Sequence, residues 1–358
     1  MKGGKMRYYI HEFATGRNNK IAMGKAREDM NEVLQAMDFQ PIKIPVRKHE
    51  GIHKIARQFL ALHDWHIGLN GLTGNDVLLI QYPPLENSIF LAEYLKATHR
   101  KGVKIILLVH DAWIVHENLT RRSRNMAALE RKILMSSQSI IVHNPAMKER
   151  FEKEGIEAVK ITELGIFDYM IPETTLQDMH EIEHQRTQPV VIAGNLSKWK
   201  AAYLTELPDD TEFNLYGIGY SEGEKPNIHY QGSFIPDDLP KKMRGSFGLV
   251  WDGDSAQTCS GKTGEYLRYN NPHKTSLYLA CGMPVIIWEQ AAMADFIREN
   301  QCGMTVKSLA DISERIKQMT DAEYESFKRN AKGISAKLRE GYYLKKAVHD
   351  ITLRGGLS

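Results

Sequence analysis

At 358 residues the chain is too long for one compact core of ordinary size, so two domains are the natural expectation. A formal net charge of +3 is too small to argue for nucleic acid, and neither an arginine-rich tail nor an RNA-binding aromatic signature is present. The three cysteines form no CxxC pair and no even disulfide set, the first residues lack the apolar run of a signal peptide, and no apolar segment is long enough to span a bilayer.

Arg7–Ile10 starts a first strand, Ala14–Asn19 is a polar turn containing Gly16, and an amphipathic helix with Ile21, Met30, Val33, Leu34 and Met37 follows. Between Met1 and Arg27 stand seven Lys or Arg against one acid, Glu12. The loop therefore lies in a positive field that attracts a phosphate or acidic surface, or it is a solvated basic face. Gln40–Pro45 reads as a second strand, Ile52–His66 as a helix, and Asp76–Gln81 as a buried strand closed by Tyr82-Pro83-Pro84. Ser88–His99 reads as a helix and Val103–Val109 as another buried strand.

His110 and Asp111 come directly after that strand, where open α/β sheets place ligands. Asp111 suits a general base that takes a proton from an acceptor hydroxyl, with His110 or His116 as alternatives, or it caps the next turn. Leu129–Ser136 looks helical, Ser139–Val142 is a strand, Asn144-Pro145 opens a helix ending at Gly155, and Ile156–Leu164 carries the last strand of this half. The triad Arg121, Arg122 and Arg124 attracts an acidic glycan or lipid headgroup, or is a solvated helix face.

The polar stretch Pro172–Gln188 reads as a linker, after which Val190–Asn195, Phe213–Tyr216, Ile228–Gln231 and Phe247–Trp251 repeat the strand pattern of the first half. Met293–Glu299, Ala310–Gln318, Asp321–Arg339 and Tyr342–Leu353 have helical spacing, and Cys302–Val306 is an edge strand. The pattern predicts two doubly wound parallel sheets. The domains run 1–170, 189–340 with a linker at 171–188, and a closing helix at 341–358 that crosses back onto the first domain.

Several motifs come close and fail. Gly261-Lys262-Thr263 ends like a P-loop, but Ala256 stands where its first glycine is needed, and Gly217-Ile218-Gly219 lacks the third glycine of a dinucleotide fingerprint. Asp252-Gly253-Asp254 matches an Asp-x-Asp pattern for a divalent ion, though an acidic turn after a buried strand explains it as well. No histidine spacing makes a zinc site.

The central stretch is Tyr269-Asn270-Asn271-Pro272-His273-Lys274, followed by Leu279-Ala280-Cys281-Gly282-Met283-Pro284-Val285-Ile286. Asn271 as N-cap, Pro272 at the first helical position and Gly282 as the left-handed stop predict a helix of about three turns leading into a buried strand. His273 and Lys274 place cations in the first turn, where they are unfavourable unless an anion binds. The alternative is an ordinary αβ unit with a solvated Lys274.

Through Gly264–Lys274 and the Gly-x-Pro-Val ending, the chain resembles, over nearly its whole length, the glucosyltransferase 3-like family of GT-B sugar transferases, some of which are labelled galactofuranosyltransferases. The resemblance implies two Rossmann-like domains facing across a cleft, with a C-terminal helix returning to the first. A UDP-sugar then lies between them, its diphosphate at Asn271, Pro272, His273 and Lys274 with Tyr269 and Asn270 lining the pocket. Matching positions make Asn195 and Tyr216 nucleotide contacts and Gly16 the first-domain loop at the diphosphate.

No metal or other cofactor is implied, since the UDP-sugar is the donor substrate. The expected reaction is transfer of a glucosyl group to a glycan, glycoprotein or lipid-linked hydroxyl, with galactofuranosyl transfer second. A non-catalytic UDP-sugar-binding subunit and a non-hydrolysing epimerase share the architecture. The family implies a homo-oligomer, and cysteine usage implies the cytoplasm, with peripheral contact at the inner face of the membrane left open.

Overall fold

The computed structural model describes residues 6–14, 22–46, 54–85, 91–116, 120–221, 223 and 225–355. The chain divides into two compact units, one of Met1–Asn18, Met30–Leu164 and Leu344–Ser358, the other of Asn19–Asp29 and Gly165–Tyr343.

In the first unit, in chain order, are β1 (Arg7–Ala14), α1 (Ala22–Ala36) from Met30 onward, its start up to Asp29 belonging to the second unit, β2 (Gln40–Val46), α2 (Lys54–Asn70), β3 (Val77–Tyr82) and α3 (Leu91–Arg100). There follow β4 (Lys104–Val109), a 3-10 turn Trp113–Val115, α4 (Arg121–Met135), β5 (Ser139–Val142), α5 (Pro145–Lys153), a 3-10 turn Ala158–Lys160 and β6 (Ile161–Glu163). The strands pair in parallel in the order β2-β1-β3-β4-β5-β6. Every residue of β3 is buried, as a strand covered on both faces must be. Strand order reverses between β1 and β3, so the carboxyl ends of these two strands flank the crevice where such sheets bind ligands.

Helix α4 begins eight residues before the expected Leu129. Thr120 caps it by accepting from the Ser123 N–H. Its first turns are exposed and polar, so no apolar period announces them. At α5 the sequence signal holds: Asn144 accepts from the Met147 N–H at 3.0 Å and Pro145 occupies the first turn.

The second unit contains α6 (Glu173–Met179), β7 (Val190–Asn195), α7 (Lys198–Ala201), β8 (Phe213–Ile218), β9 (Ile228–Tyr230), α8 (Leu239–Lys242) and β10 (Gly248–Val250). Then come α9 (Gly261–Tyr266), α10 (His273–Ala280), β11 (Val285–Trp288), α11 (Ala294–Glu299), β12 (Gly303–Val306), α12 (Asp311–Gln318), α13 (Asp321–Arg339) and α14 (Tyr342–Leu353). Residues of α14 from Leu344 onward belong to the first unit. The sheet is parallel in the order β12-β11-β10-β7-β8-β9, and its order reverses between β10 and β7. The polar stretch before β7 contains α6 and the buried His184, whose ring bonds the Gly245 and Cys281 carbonyls.

Helix α10 is shorter than expected. It spans eight residues, with Pro272 in the extended cap position and Cys281 at the other end. Asn271 does not cap it, because its side-chain Nδ2 donates instead to the Gly165 carbonyl at 2.9 Å. Gly282 takes the left-handed conformation at φ 69°, as a helix stop requires.

Buried packing fixes α10 on the sheet. The Tyr278 hydroxyl accepts from the Ala193 N–H of β7 at 2.7 Å and reaches the Leu249 carbonyl of β10 at 3.4 Å. Gly248 makes room for that ring, since a Cβ there would come within 2.0 Å of it. Ser276 donates to the Phe167 carbonyl and Ser335 of α13 to the Ala280 carbonyl, so both ends of α10 are held.

Candidate active site

The start of α10 stands at the carboxyl edge of the second sheet. Lys274 reaches across it: Nζ donates to Asp252 Oδ1 at 2.7 Å and to the Trp251 carbonyl at 3.0 Å, just past the end of β10. Lys200 Nζ lies 3.7 Å from the other oxygen of Asp252. The Asp252-Gly253-Asp254 turn is thus organised by two lysines. Among the described residues, no group of three or more His, Cys, Asp or Glu gathers as a metal site.

The His273 ring is enclosed by Phe167 and Tyr169, the latter 5.0 Å away between ring centroids. Burial first, then the charge of Lys25, pushes its pKa down to about 3, so His273 is neutral at physiological pH. Its ring donates one N–H to the Asp168 backbone, while Nε2 is buried with no partner among the described residues. A neutral imidazole with one nitrogen donating presents the other as an acceptor. The Asn270 side-chain oxygen is likewise buried and unpartnered. The start of α10 therefore offers one lysine, with two buried acceptors on His273 and the preceding Asn270 that have no partner among the described residues, rather than the two cations expected.

Of the other sequence-derived contacts, Asn195 ends β7 and its side-chain oxygen accepts from the Ser197 N–H at 2.9 Å, shaping the turn into α7. Tyr216 is buried, its hydroxyl donating to the Lys242 carbonyl and accepting from the Arg244 N–H. Tyr269 lies half-buried beside Asn270. Gly16 falls outside the described residues.

Sequence reasoning missed Lys25 of α1. Its ammonium donates to the Met170 carbonyl, pairs with Asp29 at 2.7 Å and Asp237 at 2.8 Å, and lies 5.2 Å from the centre of the Tyr169 ring. Burial opposes its charge, but the two carboxylates prevail and push its pKa up. Nothing in a basic helical segment separates this lysine from its neighbours.

In the first unit, His110 and Asp111 sit at the end of β4, Asp111 exposed. His110 Nε2 lies 2.7 Å from Gln81 Oε1, and Gln81 Nε2 donates to Asn31 Oδ1 at 2.7 Å. Because the Gln81 oxygen only accepts, His110 carries its proton on Nε2. Behind this loop, His143 donates to the Val109 carbonyl, and burial pushes its pKa down to about 4. Glu130 of α4 accepts from the Ile114 N–H at 2.8 Å, and burial pushes its carboxyl up to about 7. Glu130 and His143 thus pin the 3-10 turn and the strand end that carry His110 and Asp111. Sequence reasoning did not single out Glu130.

Two family models match, the N-terminal domain of glucosyltransferase 3-like proteins over residues 7–166 and the C-terminal domain over residues 190–351. The chain belongs to the glucosyltransferase 3-like family. It is 31% identical over 352 residues to the beta-1,6-galactofuranosyltransferase WbbI of Escherichia coli K12, covering 96% of this chain and 98% of that one. It is 26% identical to glucosyltransferase 3 of Streptococcus gordonii over 78% of this chain and 79% of that protein.

Family membership makes the chain a glycosyltransferase, and the solved structures agree on the GT-B fold. Sucrose-phosphate synthase from Thermosynechococcus elongatus superposes with a TM-score of 0.60 at 11% identity, covering 98% of this chain and 100% of that one. The HepE protein of Anabaena, solved with UDP and glucose, gives 0.57 at 10% identity over 97% and 99%.

Proposed function

We infer that this glycosyltransferase moves a galactofuranosyl group from a UDP-sugar to a hydroxyl of a glycan, glycoprotein or lipid-linked acceptor. The observation that carries the sugar is the near full-length similarity to a galactofuranosyltransferase. Glucosyl transfer, the first expectation from sequence, stands second on the partial similarity to streptococcal glucosyltransferases. The protein acts as a homo-oligomer in this reading, without a metal.

The donor's UDP is held by the second unit. The diphosphate faces the free N–H groups that begin α10, and the Lys274, Lys200 and Asp252 cluster leaves one surplus positive charge beside it. That charge stabilises the leaving diphosphate as the bond to the sugar breaks. If the reaction inverts the anomeric centre, Asp111 removes the acceptor hydroxyl's proton as its oxygen attacks and UDP departs with the bonding electrons. If it retains, Asp111 orients the acceptor.

Calorimetric titration with UDP, then with UDP-galactofuranose and UDP-glucose, each with EDTA and with magnesium, tests the donor site. UDP binding in EDTA that Lys274→Ala abolishes supports it, whereas no uridine nucleotide binding removes the donor assignment. A transfer assay with both donors then decides the sugar. Asp111→Asn is expected to lower kcat by about 100-fold or more for an inverting reaction, with UDP affinity unchanged.

A further inference from the structure

A cavity of the first unit lies at the edge of the sheet where β5 and β6 begin. It encloses about 760 Å³, within the usual size of small-ligand sites. His110 and Asp111 follow β4 at the opposite edge, and six strand residues at about 3.3 Å each put roughly 20 Å between the two edges. The cavity is therefore separate from the catalytic loop of this unit and independent of the donor reading.

Its lining has one sign of charge. Arg100, Lys132, Lys160 and Arg354 face it together with Lys96 and His99, and no acid is among the lining residues. Lys96 and Lys160 pair with Glu93 and Glu157, and Arg354 donates to the Ile161 carbonyl. Arg100 and Lys132 have no acid partner among the described residues. Both end helices, where cations are favoured by the helix dipole, which explains their presence but not their convergence with Lys160 and Arg354 on one cavity. On the walls, Ser139 and Thr162 are 5% and 4% exposed, and their hydroxyls make no hydrogen bond among the described residues. Beside these, Met135 and Val159 expose apolar surface, at 47% and 74%.

We propose that this cavity binds a phosphate ester, with Arg100, Lys132 and the Ser139 and Thr162 hydroxyls on the phosphate oxygens and Met135 and Val159 against the ligand's carbon body. Cations and hydroxyl donors without partners match a multiply charged oxyanion, and the apolar wall excludes a bare ion as the preferred occupant. The phosphate can be that of a soluble ester or of a lipid headgroup.

Calorimetry on the full chain with glycerol 3-phosphate, and co-sedimentation with phosphatidylcholine vesicles with and without phosphatidylglycerol, separate the two sources. Either probe should bind, and Arg100→Gln combined with Lys132→Gln should weaken it at least tenfold while UDP affinity stays unchanged. Lys153→Gln, an exposed lysine outside the cavity, is the control for net charge. Thr162→Val, which removes a hydroxyl and keeps the shape, should weaken binding without unfolding the chain. Glycerol phosphate binding assigns a soluble ester, and binding only to phosphatidylglycerol vesicles assigns a headgroup. Failure of both probes, or equal loss in Lys153→Gln, overturns the site.

Discussion

Lys274 and Asp252 form a largely buried ion pair, their side chains 13% and 7% exposed. Removing one partner of such a pair strands a charge in poor solvent, at a cost of about 3 kcal/mol. Asp252→Asn should therefore lower stability in urea unfolding, and an added saturating concentration of UDP should restore part of it if the diphosphate takes over the freed lysine. Glu130 gives a prediction in pH. Its carboxyl rises from 4.5 to about 7 in the fold because it is buried, so the native state holds a proton that the unfolded state releases between those values. Stability from this group is present in full below about pH 4.5 and is lost as pH rises through 7. Glu130→Gln removes that loss, so its melting temperature relative to the native chain should improve from pH 5 to pH 8, by the equivalent of about 3 kcal/mol at most. His143 acts in the opposite sense, its stabilisation being lost as pH falls from 6.5 toward 4. A Glu130→Gln profile parallel to that of the native chain would show that the carboxyl is ionised in the fold.

Among the elements, α10 depends on a single small residue in a neighbouring strand. Gly248→Ala drives a methyl group into the Tyr278 ring, and overpacking of this kind costs about 1 to 3 kcal/mol. Tyr278→Phe leaves the buried Ala193 N–H without its acceptor, at about 1 to 3 kcal/mol. Both should lower the unfolding midpoint, and Gly248→Ala should also weaken UDP binding because it shifts the helix that carries Lys274. Unchanged UDP affinity in a folded Gly248→Ala chain would disconnect α10 from the donor. The sequence made α10 visible through Pro272 and Gly282, but not its length, because Asn271 turned from its own helix to a carbonyl 106 residues away. Helices α13 and α14 were legible to the residue from their helical spacing, and in the structure Thr320 caps α13. The front of α4 was hidden by its own polarity.

For the molecule as a whole, strand and helix alternation was enough to give two parallel sheets, while the partition of residues between the units was not. Leu344, Val348 and Ile351 are buried within the first unit, and burial of such side chains contributes about 2 kcal/mol each. A chain ending at Tyr343 should therefore lose much of the stability of the first unit while retaining that of the second, which hydrogen exchange resolved by segment would report. Uniform protection in the shortened chain would show that the closing helix is dispensable. Lys25 stayed hidden because Met170 and Asp237, which hold it together with the neighbouring Asp29, lie far away in sequence, and Glu130 because no local period encodes its bond to the Ile114 N–H.

The unequal partition has a consequence during synthesis. The second unit needs the short Asn19–Asp29 segment and the continuous stretch Gly165–Tyr343, all of which leave the ribosome before Leu344 does. The first unit, although translated first for most of its length, waits for the closing helix. The cavity beside β5 and β6, lined in part by Ile351 and Arg354, is therefore incomplete until those residues are made. In a growing chain, the half that begins first is completed last.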